Sequence, residues 1–313
     1  MSSNRTFPFV DRPLRIGTRG SPLALTQAHM VADALAVAHA DVPPAEINPI
    51  RTSGDRITDR SLADVGGKGL FAKEIEAALL AGDIDCAVHS AKDLETVLPH
   101  GLAIAAVLPR ADPRDALISP AARTIADLPR GARLGSASVR RTALVRAIRP
   151  DLEIGLIRGN IGTRLAKVAN GEFDATLLAM AGLVRADCVG DAGPLSIDEF
   201  LPSAGQGIVA IECRADDTGT DEWLQPINDA PTFAALAAER AVLAVLDGSC
   251  RTPIAAYATL GADGLSLRAL VADPSGNGIW RAEKAGSADD PAAIGTAVGA
   301  TLKDAAPPSI LAA

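Results

Sequence analysis

Short apolar runs alternate with helix-start signals along the first two-thirds of the chain, and this alternation sets the fold class. Residues 14–18 read as a strand. Ser21-Pro22 then opens a helix to about residue 40, with Ser as N-cap and Pro as first helical residue. A strand at 47–51, a helix at 71–81 and strands at 84–88 and 102–108 follow. Residues 52–69, rich in Gly and charge, read as a loop, and a loop of that length in a compact domain points to function. After Pro109-Arg110-Ala111-Asp112-Pro113, a linker, the alternation restarts: strand 133–135, helix 139–148, strand 153–157, helix 161–169, strand 174–178, helix 180–186. Residues 201–207 form a second linker that returns to a strand at 208–213. Two such alternations joined by two crossings predict two α/β lobes with a ligand cleft between them.

The rhythm then changes. A helix at 232–246 precedes three strands within 254–284, separated by Gly261-Ala262-Asp263-Gly264 and Asp273-Pro274-Ser275-Gly276-Asn277, both strong turn signals. A last helix starts near residue 290. The expected domains are 1–108 with 208–226 (first lobe), 113–202 (second lobe) and 230–313, a small α+β domain with a three-stranded sheet.

Charge narrows the function classes. The chain of 313 residues carries a net charge of −8, so binding nucleic acid through bulk charge is not expected. No apolar run reaches the ~18 residues of a membrane span, and the first thirteen residues hold no apolar signal core. Four Cys without a CxxC argue against a disulfide scaffold or zinc knuckle, so the expected compartment is a reducing cytosol, with no membrane and no metal. Against this acidic background, residues 130–167 hold nine basic and two acidic residues, net +7. A solvated basic face is the ordinary reading of such a cluster. Its placement favours function: Ser136-Ala137-Ser138-Val139-Arg140-Arg141 and Arg158-Gly159-Asn160-Ile161-Gly162-Thr163-Arg164 both leave strands and open helices, where free N–H groups favour anions. Arg19-Gly20-Ser21 repeats the arrangement. A ligand with several negative groups, met by arginines of both lobes, is the expectation.

Other motifs fail. Gly66-Gly67-Lys68-Gly69 lacks the spacing of a phosphate loop, and Gly205-Gln206-Gly207-Ile208-Val209-Ala210 precedes a strand instead of joining strand to helix. Cys86 alternates with Ile84 and Val88 and reads as core, Cys213 as structural, Cys188 as uninformative. Cys250 lies in the loop Gly248-Ser249-Cys250-Arg251, where Arg251 could favour a thiolate, although a lone loop cysteine is more often inert. Asp93 ends a strand–loop segment where chemistry collects, yet a surface ion pair or a cap explains it equally, and Asp55, Asp59 and Asp115 compete for the role.

Eight segments, in order and over nearly the whole chain, resemble the porphobilinogen deaminase family. They are Ile16 to Leu25, Val65 to Phe71, Ala87-Val88-His89-Ser90-Ala91-Lys92-Asp93, Asp112 to Ala116, Gly135 to Arg141, Leu156 to Arg164, Gly205-Gln206-Gly207 and Gly248-Ser249-Cys250. The resemblance implies two periplasmic-binding-protein-like lobes joined by a two-stranded hinge, plus the α+β domain. It implies a transferase that condenses four porphobilinogen units, releasing ammonia, to the hydroxymethylbilane of tetrapyrrole and haem biosynthesis. The growing chain sits on a dipyrromethane cofactor held by a thioether. By position, the attachment cysteine is Cys250 and the catalytic acid Asp93. Arg19, Ser21, Lys68, Ser90, Lys92, Ser136, Ser138, Arg140, Arg141, Arg158, Arg164, Arg185 and Gln206 are the implied binders of cofactor or substrate carboxylates, loop 52–69 the implied lid, and a monomer the implied state.

The chemistry suits these residues. Each ring carries two carboxylates, which arginine forks offset, and loss of ammonia leaves a cation that a carboxylate can stabilise. A thiolate is a suitable nucleophile for the same carbon. Asp64, Ala91, Leu94-Glu95 and Ala137 depart from the frequent family residues. Two other readings fit the arginine window alone: a bilobal receptor for a small polyanion without chemistry, and an acidic scaffold whose basic face docks a partner.

Overall fold

The computed structural model describes residues 9–40, 42–56, 71–248 and 252–311. In chain order the elements are β1 (Arg15–Arg19), α1 (Pro22–Ala38), β2 (Glu46–Ile50), α2 (Lys73–Ala81), β3 (Cys86–Ser90), β4 (Leu102–Val107) and β5 (Asp115–Ile118). Next come β6 (Arg133–Gly135), α3 (Val139–Ile148), β7 (Glu153–Gly155), α4 (Ile161–Ala169), β8 (Ala175–Ala179), α5 (Met180–Arg185) and β9 (Gly193–Pro194). The chain closes with β10 (Val209–Arg214), α6 (Thr218–Leu224), α7 (Ala230–Val245), β11 (Ile254–Gly261), β12 (Gly264–Ala272), β13 (Ile279–Gly286) and α8 (Pro291–Ala305). They fall into two units. The described residues up to 109, together with 208–233, form the first; 110–207 and those from 234 onward form the second.

The first unit is built on a five-stranded sheet of order β2-β1-β3-β10-β4. β1 runs parallel to β2 and β3, whereas β10 is antiparallel to β3 and β4. Ser21 caps α1 as its sequence suggests, accepting from the Ala24 N–H with Pro22 behind it. Period two sorts β3: Cys86 and Val88 pack with Val31 and Leu35 of α1, and Ala87 packs with Ile75 and Leu79 of α2. Ile84, expected on the face of Cys86 and Val88, precedes the strand and joins the α2 side instead. Gly82, in the left-handed region at φ 78°, ends α2.

The second unit repeats the pattern, with order β7-β6-β8-β5-β9. β6 is parallel to β7 and β8, and β5 antiparallel to β8 and β9. In both sheets an antiparallel strand sits fourth and comes from a chain crossing. These are two α/β lobes of matching topology. At the crossing, the Ala111 N–H donates to the Gly207 carbonyl at 3.2 Å, and Gly207 holds φ 90° where a Cβ would lie 2.5 Å from the Ala111 carbonyl oxygen. The glycines of the rejected dinucleotide motif therefore serve a turn. β5, β9 and α6 were not legible: β5 has four residues and opens on a buried aspartate, so it lacks an apolar alternation.

The antiparallel sheet β11-β12-β13 matches the three expected strands. One face packs on α7 and α8, while Ala255, Leu270 and Ala272 join the core of the second lobe. α8 lies against α7 through small residues. A Cβ on Gly295 would stand 2.1 Å from the Ala238 carbonyl oxygen. Gly295→Ala should therefore push the helices apart and cost about 1–3 kcal/mol. A lowered melting temperature by differential scanning calorimetry is the expected result.

Candidate active site

The carboxyl edge of the first sheet carries a pocket. Its walls include Arg19 from the end of β1, Ser21 and Gln27 from α1, His89 and Ser90 from the end of β3, and Asp93. Asp93 sits on a 3-10 turn, Ala91–Asp93, that follows β3 directly, and its side chain is exposed. The Gln27 amide donates to Ser90 Oγ at 2.9 Å. The Arg19 guanidinium lies 4.1 Å from the Phe71 ring centre, a cation–π contact that fixes its plane. Lys92, half-buried, shares the turn with Asp93. The structure thus gathers Arg19, Ser21, Ser90 and Asp93 in one pocket and adds Gln27, His89 and Phe71.

The second unit holds a different donor set. Ser138 caps α3, and its N–H donates to Ser136 Oγ at 3.2 Å, so two hydroxyls mark that helix start. Asn160 caps α4, accepting from the Thr163 N–H at 2.8 Å, and Arg164 Nε donates to the Gly159 carbonyl at 2.9 Å. Gly159 has φ 113° and a Cβ there would meet Thr163, so the arginine-glycine-asparagine turn requires glycine. Arg185 ends α5, and its Nη2 donates to the Gly207 carbonyl at 2.8 Å. Burial lowers Arg140, Arg158 and Arg185 from the usual arginine range, without removing their charge at neutral pH.

Arg140 and Arg141 are buried, and their partner is Asp115 on β5. Arg140 Nη2 donates to Asp115 Oδ2 at 2.7 Å, and Arg141 donates to Oδ1 through Nε at 3.0 Å and Nη2 at 2.6 Å. Gln206 Nε2 adds a bond to Oδ1 at 3.0 Å. Arg140 Nη1 and Arg141 Nη1 donate to the Leu201 and Leu177 carbonyls, both at 2.8 Å. Asp115, weighed as a rival catalytic acid, is instead the fully buried counter-ion of the paired arginines. The sequence signal for this pairing is absent, because the partners lie about two dozen residues apart on different elements.

Burial pushes the Cys86 thiol up, and the Cys213 thiol up to about 12, so both are protonated core residues. Cys188 Sγ lies 3.1 Å from the Ala186 carbonyl oxygen. Cys250, Lys68, Asp59, Asp64 and most of loop 52–69 lie outside the described residues. No group of three His, Cys, Asp or Glu suited to a metal occurs among the described residues. Among those residues, no helix is long and apolar enough to cross a membrane.

Fold and site together give a two-lobed α/β protein with an exposed carboxylate, Asp93, beside Arg19, Ser21 and Ser90 in the pocket of the first unit and capped helix starts rich in donors in the second. Residues 14–222 match the family model "porphobilinogen deaminase, dipyromethane cofactor binding domain", and residues 233–304 match the family's C-terminal domain. A porphobilinogen deaminase of Nitrobacter winogradskyi is 52% identical over 293 residues, covering 93% of each chain. That of Sphingopyxis alaskensis is 56% identical over 260 residues, 82% of each chain, and that of Paracoccus denitrificans 49% over 302 residues, 96% of each. The chain belongs to the porphobilinogen deaminase family.

Asp115→Asn would leave two buried guanidiniums without their anion, a loss of about 3–5 kcal/mol. Asp93→Asn, at an exposed position, should stay within about 0.5 kcal/mol of the parent. Denaturant unfolding of the two variants side by side checks the contrast.

Proposed function

We propose that this chain condenses four porphobilinogen units head to tail, releasing one ammonia per unit, on a dipyrromethane joined by a thioether to Cys250. Family membership supports the reaction. The observation that carries the catalytic assignment is Asp93: an exposed carboxylate just past β3, in one pocket with Arg19, Ser21 and Ser90.

The donor chemistry fits a carboxylate-bearing primer. Arg140 Nε and Arg185 Nε are buried without a hydrogen-bond partner, and both helix starts of the second lobe present hydroxyl, amide and guanidinium donors. In this reading Ser136, Ser138, Arg158, Arg164 and Arg185 hold carboxylates, while Asp115 and Gln206 orient Arg140 and Arg141 for the same task. Arg19, Ser21, Lys68, Ser90 and Lys92 serve the substrate around Asp93. Arginine suits these positions because its fork matches a carboxylate and keeps its charge. The dipyrromethane, when bound, supplies a pyrrole carbon nucleophile that stays with the enzyme.

Asp93 acts on the incoming substrate. The C–N bond of its protonated aminomethyl group breaks, ammonia leaves with the bonding pair, and the methylene-pyrrolenine left behind is cationic. Asp93 accepts a hydrogen bond from the pyrrole N–H and stabilises that charge. When a pyrrole carbon forms the new C–C bond, its proton is lost, and Asp93 is placed to carry it away. Proton and ammonia together leave as ammonium, so the cycle balances. The free thiols Cys86, Cys188 and Cys213 suit work in the cytosol, the net charge of −8 suits a small molecule and not nucleic acid, and a monomer is what the family resemblance implies.

Intact mass after reconstitution with porphobilinogen should show an adduct of two substrate units less two ammonias, absent in Cys250→Ser. A bare polypeptide would overturn the reading, and porphobilinogen binding without ammonia release would favour the receptor alternative. Asp93→Asn should keep the fold and lose about 100-fold or more in kcat, measured by ammonia release.

A further inference from the structure

Behind the pocket lies a polar cluster that the reaction as described does not use. Glu76 on α2, His89 on β3 and Glu212 on β10 are all buried, and Glu212 is fully so. The β3–β10 register sets Ala210 opposite His89 and Glu212 opposite Ala87, so Glu212 lies diagonal to His89 on the α2 side of the sheet. His89 Nε2 stands 3.2 Å from Glu212 Oε2, an ion-pair distance without hydrogen-bond alignment. Glu76 Oε1, His89 Nε2 and both Glu212 oxygens have no hydrogen-bond partner. His89 and Glu212 therefore face one another, and Glu76 is buried on α2 beside Ile75 and Leu79, which pack on Ala87 on that same side of the sheet. Buried polar groups left this way are costly, which makes a purely structural purpose a poor explanation. His89 reaches from this layer into the pocket wall, four residues before Asp93.

We propose that Glu76 is a positioning carboxylate for turnover: ionised, it sets a second negative charge behind the pocket that forms the substrate cation, acting through His89; protonated, it withholds that charge. The proposal rests on the pocket assignment above. Ionising Glu76 makes this buried layer one charge more negative. A buried negative charge favours a cation forming nearby more strongly than it would in water.

The groups that bear on Glu76 are known on each side. Burial, then the charge of Glu212 and of Glu95 beyond the 3-10 turn, push its carboxyl up to about 7, while His89 draws it back. On β1, the other strand under α2, Arg15 is engaged by Asp85 and Arg19 by the Phe71 ring. The sign follows: Glu76 binds its proton below about pH 7 and releases it above, so turnover rises with pH through that region.

The test is steady-state kinetics of the primer-loaded enzyme from pH 6 to 9. In the parent, kcat should rise about tenfold with an inflection near neutral pH, while KM stays within about twofold. In Glu76→Gln the rise should vanish, kcat staying near the parent's acid value at every pH, and Glu76→Asp should restore part of it. In Glu212→Gln the inflection should move to lower pH, because the charge holding the Glu76 proton is gone. An unchanged profile in Glu76→Gln, or a uniform loss at all pH with raised KM, would overturn the proposal. If Glu76→Gln does not fold, an unmoved inflection in Glu212→Gln overturns it. Asp93→Asn separates the two readings: undiminished turnover there would refute the pocket assignment, whereas Glu76 is judged by the profile's shape alone.

Discussion

A single buried carboxylate organises the second lobe. Asp115 has no exposure, and it is satisfied by two guanidiniums and one amide from elements far apart in sequence. Isolated, such a charge could not be buried; surrounded by charge-assisted bonds, it can. The pairing fixes β5 against α3 and the 201–206 segment, and the arginine forks also hold the Leu177 and Leu201 carbonyls. The +7 window is therefore not a uniformly solvated face. Part of it is internal wiring, and part lies at the helix starts capped by Ser138 and Asn160.

The same logic operates in the third sheet. Glu239 on α7 is fully buried and accepts from the Gly205 and Ala258 N–H groups, while Arg110 closes on it and stacks over Tyr257. The crossing segment at 205–207 is thereby tied to α7 and β11. In the first lobe, by contrast, Glu76 Oε1, His89 Nε2 and both Glu212 oxygens are buried without a hydrogen-bond partner. Satisfied buried charges hold a fold in one arrangement; unsatisfied ones store chemistry.

How much was legible depends on range. α1, α3 and α4 were readable because Ser21, Ser138 and Asn160 are local start signals that the structure uses as caps. The β11–β13 meander was readable because its turns carry Gly264 and Gly276 at positive φ. β5 was not, since its four residues open with the aspartate that its distant partners make tolerable. Ile84 was misgrouped because strand parity holds only inside a strand, and β3 begins two residues later. At the site, the ordered motifs pointed to Asp93, Arg19, Ser21 and Ser90. Gln27 and His89 had no signal of their own, and Asp115 was only one of several competing acids.

The sequence by itself determined the order of strands and helices, where most of them start, and the family, because these depend on neighbours within a few residues or on motifs in fixed order. Only the tertiary structure decided which charges are interior. Whether an arginine meets solvent, a ligand or Asp115, and whether Glu76 keeps its proton, depends on what packs against it from other strands and helices. Desolvation and Coulomb energy are set by those distances, and no local pattern records them.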